Sequence, residues 1–206
     1  MENPSQVNPQ DDAPDIGALI ASRICHDLIG PVGAIVNGME LLELAGGTSG
    51  PEQELIAQSA ASASARLRFF RIAFGAAGDQ AIGGTDIAIL LEEVGRDGRM
   101  QVVWTPEGAQ PRNLVKLAFL ALLCCETALP RGGRAHVIEE DGAWVVTASG
   151  EPVTVDPALW AWLEGASRAA ALIPARVQFA LLPQAATQMG RRLGGEHDAQ
   201  GLTLRF

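Results

Sequence analysis

Between Ile16 and Leu44 the apolar residues Ile16, Leu19, Ile20, Ile24, Leu28, Val32, Ile35, Val36, Met39 and Leu42 recur at threes and fours, which predicts one long amphipathic helix. The stretch AGGTSGPEQE then breaks the pattern. Gly46 and Gly47 suit a helix C-terminus, and Ser49 with Glu52 reads as a capping box with Pro51 in the first turn. A second helix is predicted from Pro51 to Ala77, with Leu55, Ile56, Leu67, Phe70 and Phe74 on an apolar face and the run SAASASA at its middle. Two long helices joined across so short a break form an antiparallel hairpin. Such a hairpin cannot bury both apolar faces alone. Its small Ala and Ser residues admit another helix at close range, so dimerisation into a four-helix bundle is the economical solution, although small residues also serve contacts within a monomer.

Composition narrows the class. With 206 residues and 48% hydrophobic content, the chain can bury a substantial core. A formal net charge of -9 argues against a phosphate-backbone binder, which would present clustered Lys and Arg, so no nucleic-acid partner is expected. No segment reads as a run of roughly 18 apolar residues, so no membrane partner is expected. The start, MENPSQVNPQDDAPD, lacks the basic and apolar parts of a signal peptide, and a cytoplasmic location is expected. Residues 1–14, polar and aperiodic, are expected to be a flexible tail. Cys25 and the adjacent Cys124 and Cys125 form neither a metal-ligand spacing nor an even disulfide framework, and read as reduced thiols.

After GDQAIGGT, residues 78–85, read as a linker, the pattern changes. Asp86 could cap a helix through about Gly95, MQVVWT reads as a strand, and PRNLVKLAFLALLCCETALP as a helix buried on most sides. RAHVIEEDGAWVVTAS reads as a hairpin around Asp141-Gly142. A less regular stretch containing DPALWAWLEG precedes a helix over about Ala175 to Leu193, with Pro183 a problem for its continuity, and strands near Glu196–Asp198 and Leu202–Phe206 close the chain. Helices with mostly antiparallel strands in this order suggest a two-layer α/β sandwich.

The first helix keeps Gly30, Pro31, Gly33 and Gly38. An interior glycine costs about 0.5 to 1 kcal/mol relative to alanine and an interior proline about 3 kcal/mol, so something must offset them. Placed at helical intervals, Ser22, His26, Gly30 (beside Ile29), Gly33 and Asn37 form one stripe, roughly opposite a core row of Ile24, Leu28, Ile35, Met39 and Leu42. A smooth surface beside an exposed histidine lets another protein approach the imidazole, and Pro31 would bend the helix and free a carbonyl one turn back. Neutral histidine suits phosphoryl carriage, because one ring nitrogen is nucleophilic while the other donates to an acid that fixes the tautomer. Asp27 is placed to be that acid.

In type and spacing, His26, Asp27 and Pro31 resemble the H-box of two-component histidine kinases, a His-acid pair with Pro five places after the His. The longer run HDLIGPVGAIVNGMELL, the Ala/Ser-rich second helix and the later ALPRGG resemble more specifically the ChpT family of histidine phosphotransferases, over most of the chain from about Ile16. The resemblance implies a helical hairpin dimerisation and phosphotransfer domain over residues 15–78, forming a four-helix bundle in a homodimer, and a degenerate histidine-kinase ATPase-like two-layer α/β sandwich over residues 86–206. Setting ALPRGG against the end of a kinase N-box places Leu120 and Cys124 where magnesium-binding Asn residues would stand. The adenine-binding Asp falls at Ala148, the glycines of its loop become Gly150 and Pro152, and no glycine-rich lid precedes ATQMGRRLGG. No ATP and no intrinsic cofactor or metal are therefore expected.

The resemblance further implies a phosphorelay. His26 would take a phosphoryl group from the receiver domain of a hybrid histidine kinase and pass it to response-regulator receiver domains, with Asp27 orienting the ring and helping to accept its proton. Magnesium would come from the acidic pocket of the partner receiver. Ile29, Gly30, Gly33 and Asn37 would form the docking face, with Arg66, Phe69 and Phe70 of the second helix, and Pro31 would be structural. Many kinases carry a polar residue four places after the histidine that supports phosphatase action; Gly30 stands there, so no independent phosphatase activity is expected.

Other readings are weaker. Cys25, His26 and Asp27 are consecutive and diverge around a helix, which does not suit metal ligation. His136 and His197 fit structural or solvated positions, Ser149-Gly150 lacks a nucleophile-elbow context, and Trp160 and Trp162 fit packing. An ATP-using histidine kinase would require nucleotide binding. A non-enzymatic dimeric adaptor would use the same smooth helix and tolerate replacement of His26.

Overall fold

A computed structural model describes residues 15–44, 46, 50–76, 78, 80–96, 98–165 and 172–206. The tail expected over residues 1–14 and Ser49 of the expected capping box lie outside them. Helices α1 (Ile16–Leu44) and α2 (Pro51–Ala73) form the hairpin. The helices meet at small residues: Gly38 is buried, and a Cβ there would lie 2.7 Å from Ile56 Cγ1. Two details differ from expectation at α2. Its N-cap is Gly50, which offers no side-chain cap, and it ends at Ala73 rather than Ala77. Cations from a later helix gather at that end. Lys116 Nζ donates to the Gly75 carbonyl at 2.7 Å and Arg112 Nη2 to the Arg71 carbonyl at 3.2 Å, satisfying groups at the negative pole of α2. Burial and the neighbouring Arg112 charge lower the Lys116 pKa.

The expected linker carries structure. β1 (Ala81–Gly83) pairs antiparallel with β3 (Ala109–Pro111), and α3 (Gly84–Arg96) starts within the same stretch, so Asp86 lies in its first turn rather than at its cap. The main sheet contains β2 (Met100–Trp104), β4 (Gly133–Glu140), β5 (Ala143–Ser149), β6 (Gly194–His197) and β7 (Gly201–Arg205) in the order β2-β4-β5-β7-β6. Only β2 and β4 pair in parallel. The β4–β5 turn is the expected one, with Asp141 at φ 52 and Gly142 at φ 77, as a two-residue primed turn requires. The remaining helices are α4 (Arg112–Ala128), α5 (Pro157–Leu163) and α6 (Gln178–Gln188). The helix expected over Ala175–Leu193 is thus divided: a 3-10 turn, Pro174–Arg176, precedes α6, which contains Pro183 and is followed by a turn at Gly190 with φ 65.

The result is a helical hairpin followed by a two-layer α/β sandwich. Val102, Ala135, Val137, Val146, Leu202 and Leu204 point from the sheet to the helix layer, while Arg134, His136, Thr147 and Thr203 occupy its other face. Helix α4 is buried at every residue from Leu117 to Cys125, consistent with its all-round apolar character. Hairpin and sandwich share one core. Phe69 stacks on Phe119 of α4 with ring centroids 4.4 Å apart, and Phe70 stacks on Phe74. This corrects the expectation that Phe69 and Phe70 help form a docking face: they are only 5% and 3% exposed.

A different face of α1 is uncovered. Val32, Val36 and Met39 are each about half exposed and Ile29 more so; Met39 therefore does not belong to the intramolecular core row expected for it. The expectation that no segment is apolar enough for a membrane differs from what α1 shows by length and composition alone. Over 18 residues its mean hydropathy reaches 1.4, enough by length and composition to span a bilayer, because its Ile, Val, Leu and Ala residues raise the mean although Gly, Pro and polar residues interrupt any continuous apolar run. The cores of non-membrane proteins pass the same test, and α1 also carries Arg23, His26 and Asp27 on neighbouring turns, groups that are expensive in lipid.

Replacing Phe69 by Ala is expected to lower the unfolding free energy by about 3 to 5 kcal/mol. Urea unfolding should show the loss in probes of both the hairpin and the sandwich, because the stacked pair belongs to both.

Candidate functional site

His26 lies midway along α1 with its side chain 85% exposed, whereas Asp27, turned towards α2, is 12% exposed. The imidazole Nδ1 is 3.1 Å from Asp27 Oδ1. An ionised carboxylate only accepts, so this contact places the ring proton on Nδ1 and leaves the Nε2 lone pair directed at solvent. Asp27 is itself held: Arg23 Nε donates to its other oxygen, Oδ2, at 3.0 Å. Arg23 also donates through Nη1 to the Ala175 carbonyl at 3.0 Å. An Arg–Asp–His series therefore runs from the C-terminal domain to the exposed imidazole. Arg23 was absent from the expected site. Its position four residues before Asp27 on a helix is the signal that could have identified it.

The docking residues divide. Ile29, Gly30 and Asn37 are exposed and Gly33 is half-buried, all on the His26 side of α1. Between α1 and α2 an open cleft is lined by His26, Asp27, Gly30, Pro31, Ser62 and Arg66, among others. Arg66 thus faces the histidine cleft, and makes no hydrogen bond or ion pair among the described residues. Phe69 and Phe70 lie beneath the surface.

The glycines of α1 have different causes. Gly38 is required by the close approach of Ile56. Gly30 precedes Pro31, where a side chain would crowd the proline ring in a helical conformation. Gly33 has no such explanation: a Cβ there meets nothing within 4 Å. Pro31 has no amide for the Asp27 carbonyl, the free acceptor expected one turn back.

In the sandwich, Leu120 and Cys124, the positions expected to lack the magnesium-binding asparagines, are wholly buried. Burial, with the adjacent Cys125, pushes the Cys124 thiol well above its ordinary pKa, and burial pushes Cys125 to about 12. Ala148 is buried in the sheet between Ala135 and Leu202. Among the described residues, no group of three or more His, Cys, Asp or Glu is arranged to hold a metal. Exposed His136 pairs across the sheet with Thr147, and His197 makes an edge contact with Trp160; neither belongs to the site.

Comparison with known proteins identifies the family. The family described as "Histidine phosphotransferase C-terminal domain" matches residues 84–201. The protein phosphotransferase ChpT of Brucella abortus (strain 2308) is 45% identical over 152 residues, covering 69% of this chain and 71% of that protein. A solved structure of a bacterial phosphotransferase has a TM-score of 0.74 and 35% identity, with 98% of each chain covered. The chain belongs to the ChpT-like family of histidine phosphotransferases, proteins of phosphorelay signalling.

Gly33→Ala is expected to raise the unfolding free energy by about 0.5 to 1 kcal/mol, since it improves helix propensity without a clash. Gly38→Ala should lower it by about 1 to 3 kcal/mol through overpacking against Ile56. Thermal or urea unfolding of the two variants separates an internal demand for glycine from one that lies outside the chain.

Proposed function

We propose that the protein relays phosphoryl groups between receiver domains through His26 and does so without ATP. The observation that carries this reading is the pairing of His26 Nδ1 with Asp27, which presents Nε2 outward beside the glycine stripe. The donor would be an aspartyl phosphate on the receiver domain of a hybrid histidine kinase, and the acceptor the receiver of a response regulator. Nε2 attacks phosphorus as the bond to the aspartyl oxygen breaks, and the charge gained by the ring faces the Asp27 carboxylate. Gly33 supports the docking role, because no contact among the described residues explains the missing side chain. Ile29, Gly30 and Asn37 extend the same surface, and Arg66 stands at its edge to meet acidic groups of the receiver. Magnesium belongs to the receiver's acidic pocket. The buried Leu120 and Cys124 support the absence of ATP chemistry.

The exposed row of Val32, Val36 and Met39 supports a homodimer in which the two hairpins form a four-helix bundle. Dimerisation would also cover the most apolar part of α1, in keeping with a cytoplasmic protein that uses neither membrane nor nucleic acid. Val36→Glu is expected to convert the dimer to a monomer, read by sedimentation; an unchanged dimer would place the interface elsewhere.

The deciding experiment incubates wild type and His26→Ala with labelled ATP alone and with phosphorylated receiver domains. Acid-labile, base-stable label should appear on wild type from a receiver and should be absent from His26→Ala. Label from ATP alone would identify a kinase. Receiver binding without label, unaffected by His26→Ala, would identify an adaptor.

A further inference from the structure

Resting on the relay role of His26, we propose that Arg23 is a positioning residue for that histidine and that the segment around Ala175, in the C-terminal domain, is its anchor. A guanidinium is planar and donates from fixed directions, so two simultaneous bonds fix its plane. Arg23 makes two: Nε to Asp27 Oδ2 and Nη1 to the Ala175 carbonyl, each at 3.0 Å. Asp27 is then held with its remaining oxygen, Oδ1, against His26 Nδ1. The acceptor carbonyl is itself immobilised. It also receives a bond from Gln178 Nε2 at 3.1 Å, and that wholly buried amide donates to Thr127 Oγ1 of α4 at 2.9 Å. Arg176, the next residue, pairs with Asp156 at 3.2 Å. The Ala175 carbonyl thus gives the C-terminal domain a hydrogen-bonded hold on the Arg23–Asp27–His26 series.

The chemical consequence concerns the tautomer. An unconstrained neutral imidazole populates both N–H forms, and only the Nδ1–H form has its lone pair on Nε2. In the forward step that lone pair forms the N–P bond, the P–O bond breaks, and its electron pair leaves with the receiver's carboxylate. No proton has to leave Nε2. The positive charge that develops on the ring stays with Nδ1–H, facing Asp27. Releasing Asp27 from Arg23 therefore lowers the reactive fraction without removing any group that touches phosphorus.

The test uses the full-length protein as wild type, Arg23→Gln, Arg23→Lys, Arg176→Gln and the control Arg68→Gln, which removes the Arg68–Glu93 ion pair between α2 and α3. Long-range proton–nitrogen correlations of the His26 ring at alkaline pH report its tautomer, and single-turnover transfer and receiver affinity are measured alongside. Arg23→Gln is expected to shift the ring from Nδ1–H towards Nε2–H and to slow transfer by about 10- to 100-fold, as for other outer-sphere partners, with receiver affinity unchanged. Arg23→Lys should recover only part of this, since an ammonium lacks the planar fork. Arg176→Gln, which loosens the anchor without touching α1, should shift the tautomer in the same direction by less. Arg68→Gln should change neither readout. An unaltered tautomer in Arg23→Gln, or a slower transfer explained wholly by weaker receiver binding, would overturn the proposal. Should Arg23→Gln not fold, an unaltered tautomer in both Arg23→Lys and Arg176→Gln would overturn it equally. If wild type accepts no phosphoryl group from any receiver, the relay reading fails, while the tautomer comparison still decides the role of Arg23.

Discussion

The stack of Phe69 on Phe119 is the contact on which the rest of the arrangement depends. It places the C-terminal end of α2 in the core of the sandwich, so the hairpin is not merely tethered to the second domain by the short segment between them. Once α2 is held there, α1 is held through it, and the turn of α1 that carries Arg23 lies against Ala175. A hairpin free to swing would lose that hydrogen bond, and with it the second fixed point of the guanidinium. The order of dependence runs from an aromatic contact in the core, through helix placement, to the orientation of one carboxylate beside an exposed imidazole.

Three sectors of α1 serve three different surfaces. Pro31, Ala34 and Gly38 face α2, Val32, Val36 and Met39 are uncovered and apolar, and His26, Gly30 and Asn37 are uncovered with little apolar bulk. An ordinary amphipathic helix needs two sectors, one for a core and one for water. The helix is so apolar because two of these sectors, Pro31, Ala34 and Gly38 on α2 and the uncovered row of Val32, Val36 and Met39, carry no charge, and Gly38 is tolerated because its sector packs closely on α2.

Much of this was legible in the residues. The span of α1, the hairpin, the Asp141-Gly142 turn and the candidate His26–Asp27 pair follow from periodicity, turn chemistry and spacing. The early end of α2 was not legible, because the cations that satisfy it come from α4. The place of Phe69 and Phe70 was also ambiguous, since an apolar helix face can meet either a core or a partner. Arg23 carried a readable signal towards Asp27 through its i, i+4 spacing. Its bond to Ala175 carried none, because a backbone carbonyl has no side-chain signature and any residue can supply one.

On the proposed reading of a relay without ATP, the complete burial of Leu120 and Cys124 would make nucleotide chemistry hard to acquire by substitution. Asparagines placed there would put two amides inside a helix packed on all sides, where each unsatisfied group costs about 1 to 3 kcal/mol. Two substitutions would not by themselves open a nucleotide site, since both side chains are wholly buried in the core. Room for a nucleotide would require α4 to give up neighbours that also hold Phe119 in place, and hence the hairpin. On that reading, the packing that joins hairpin and sandwich would also work against an ATP site.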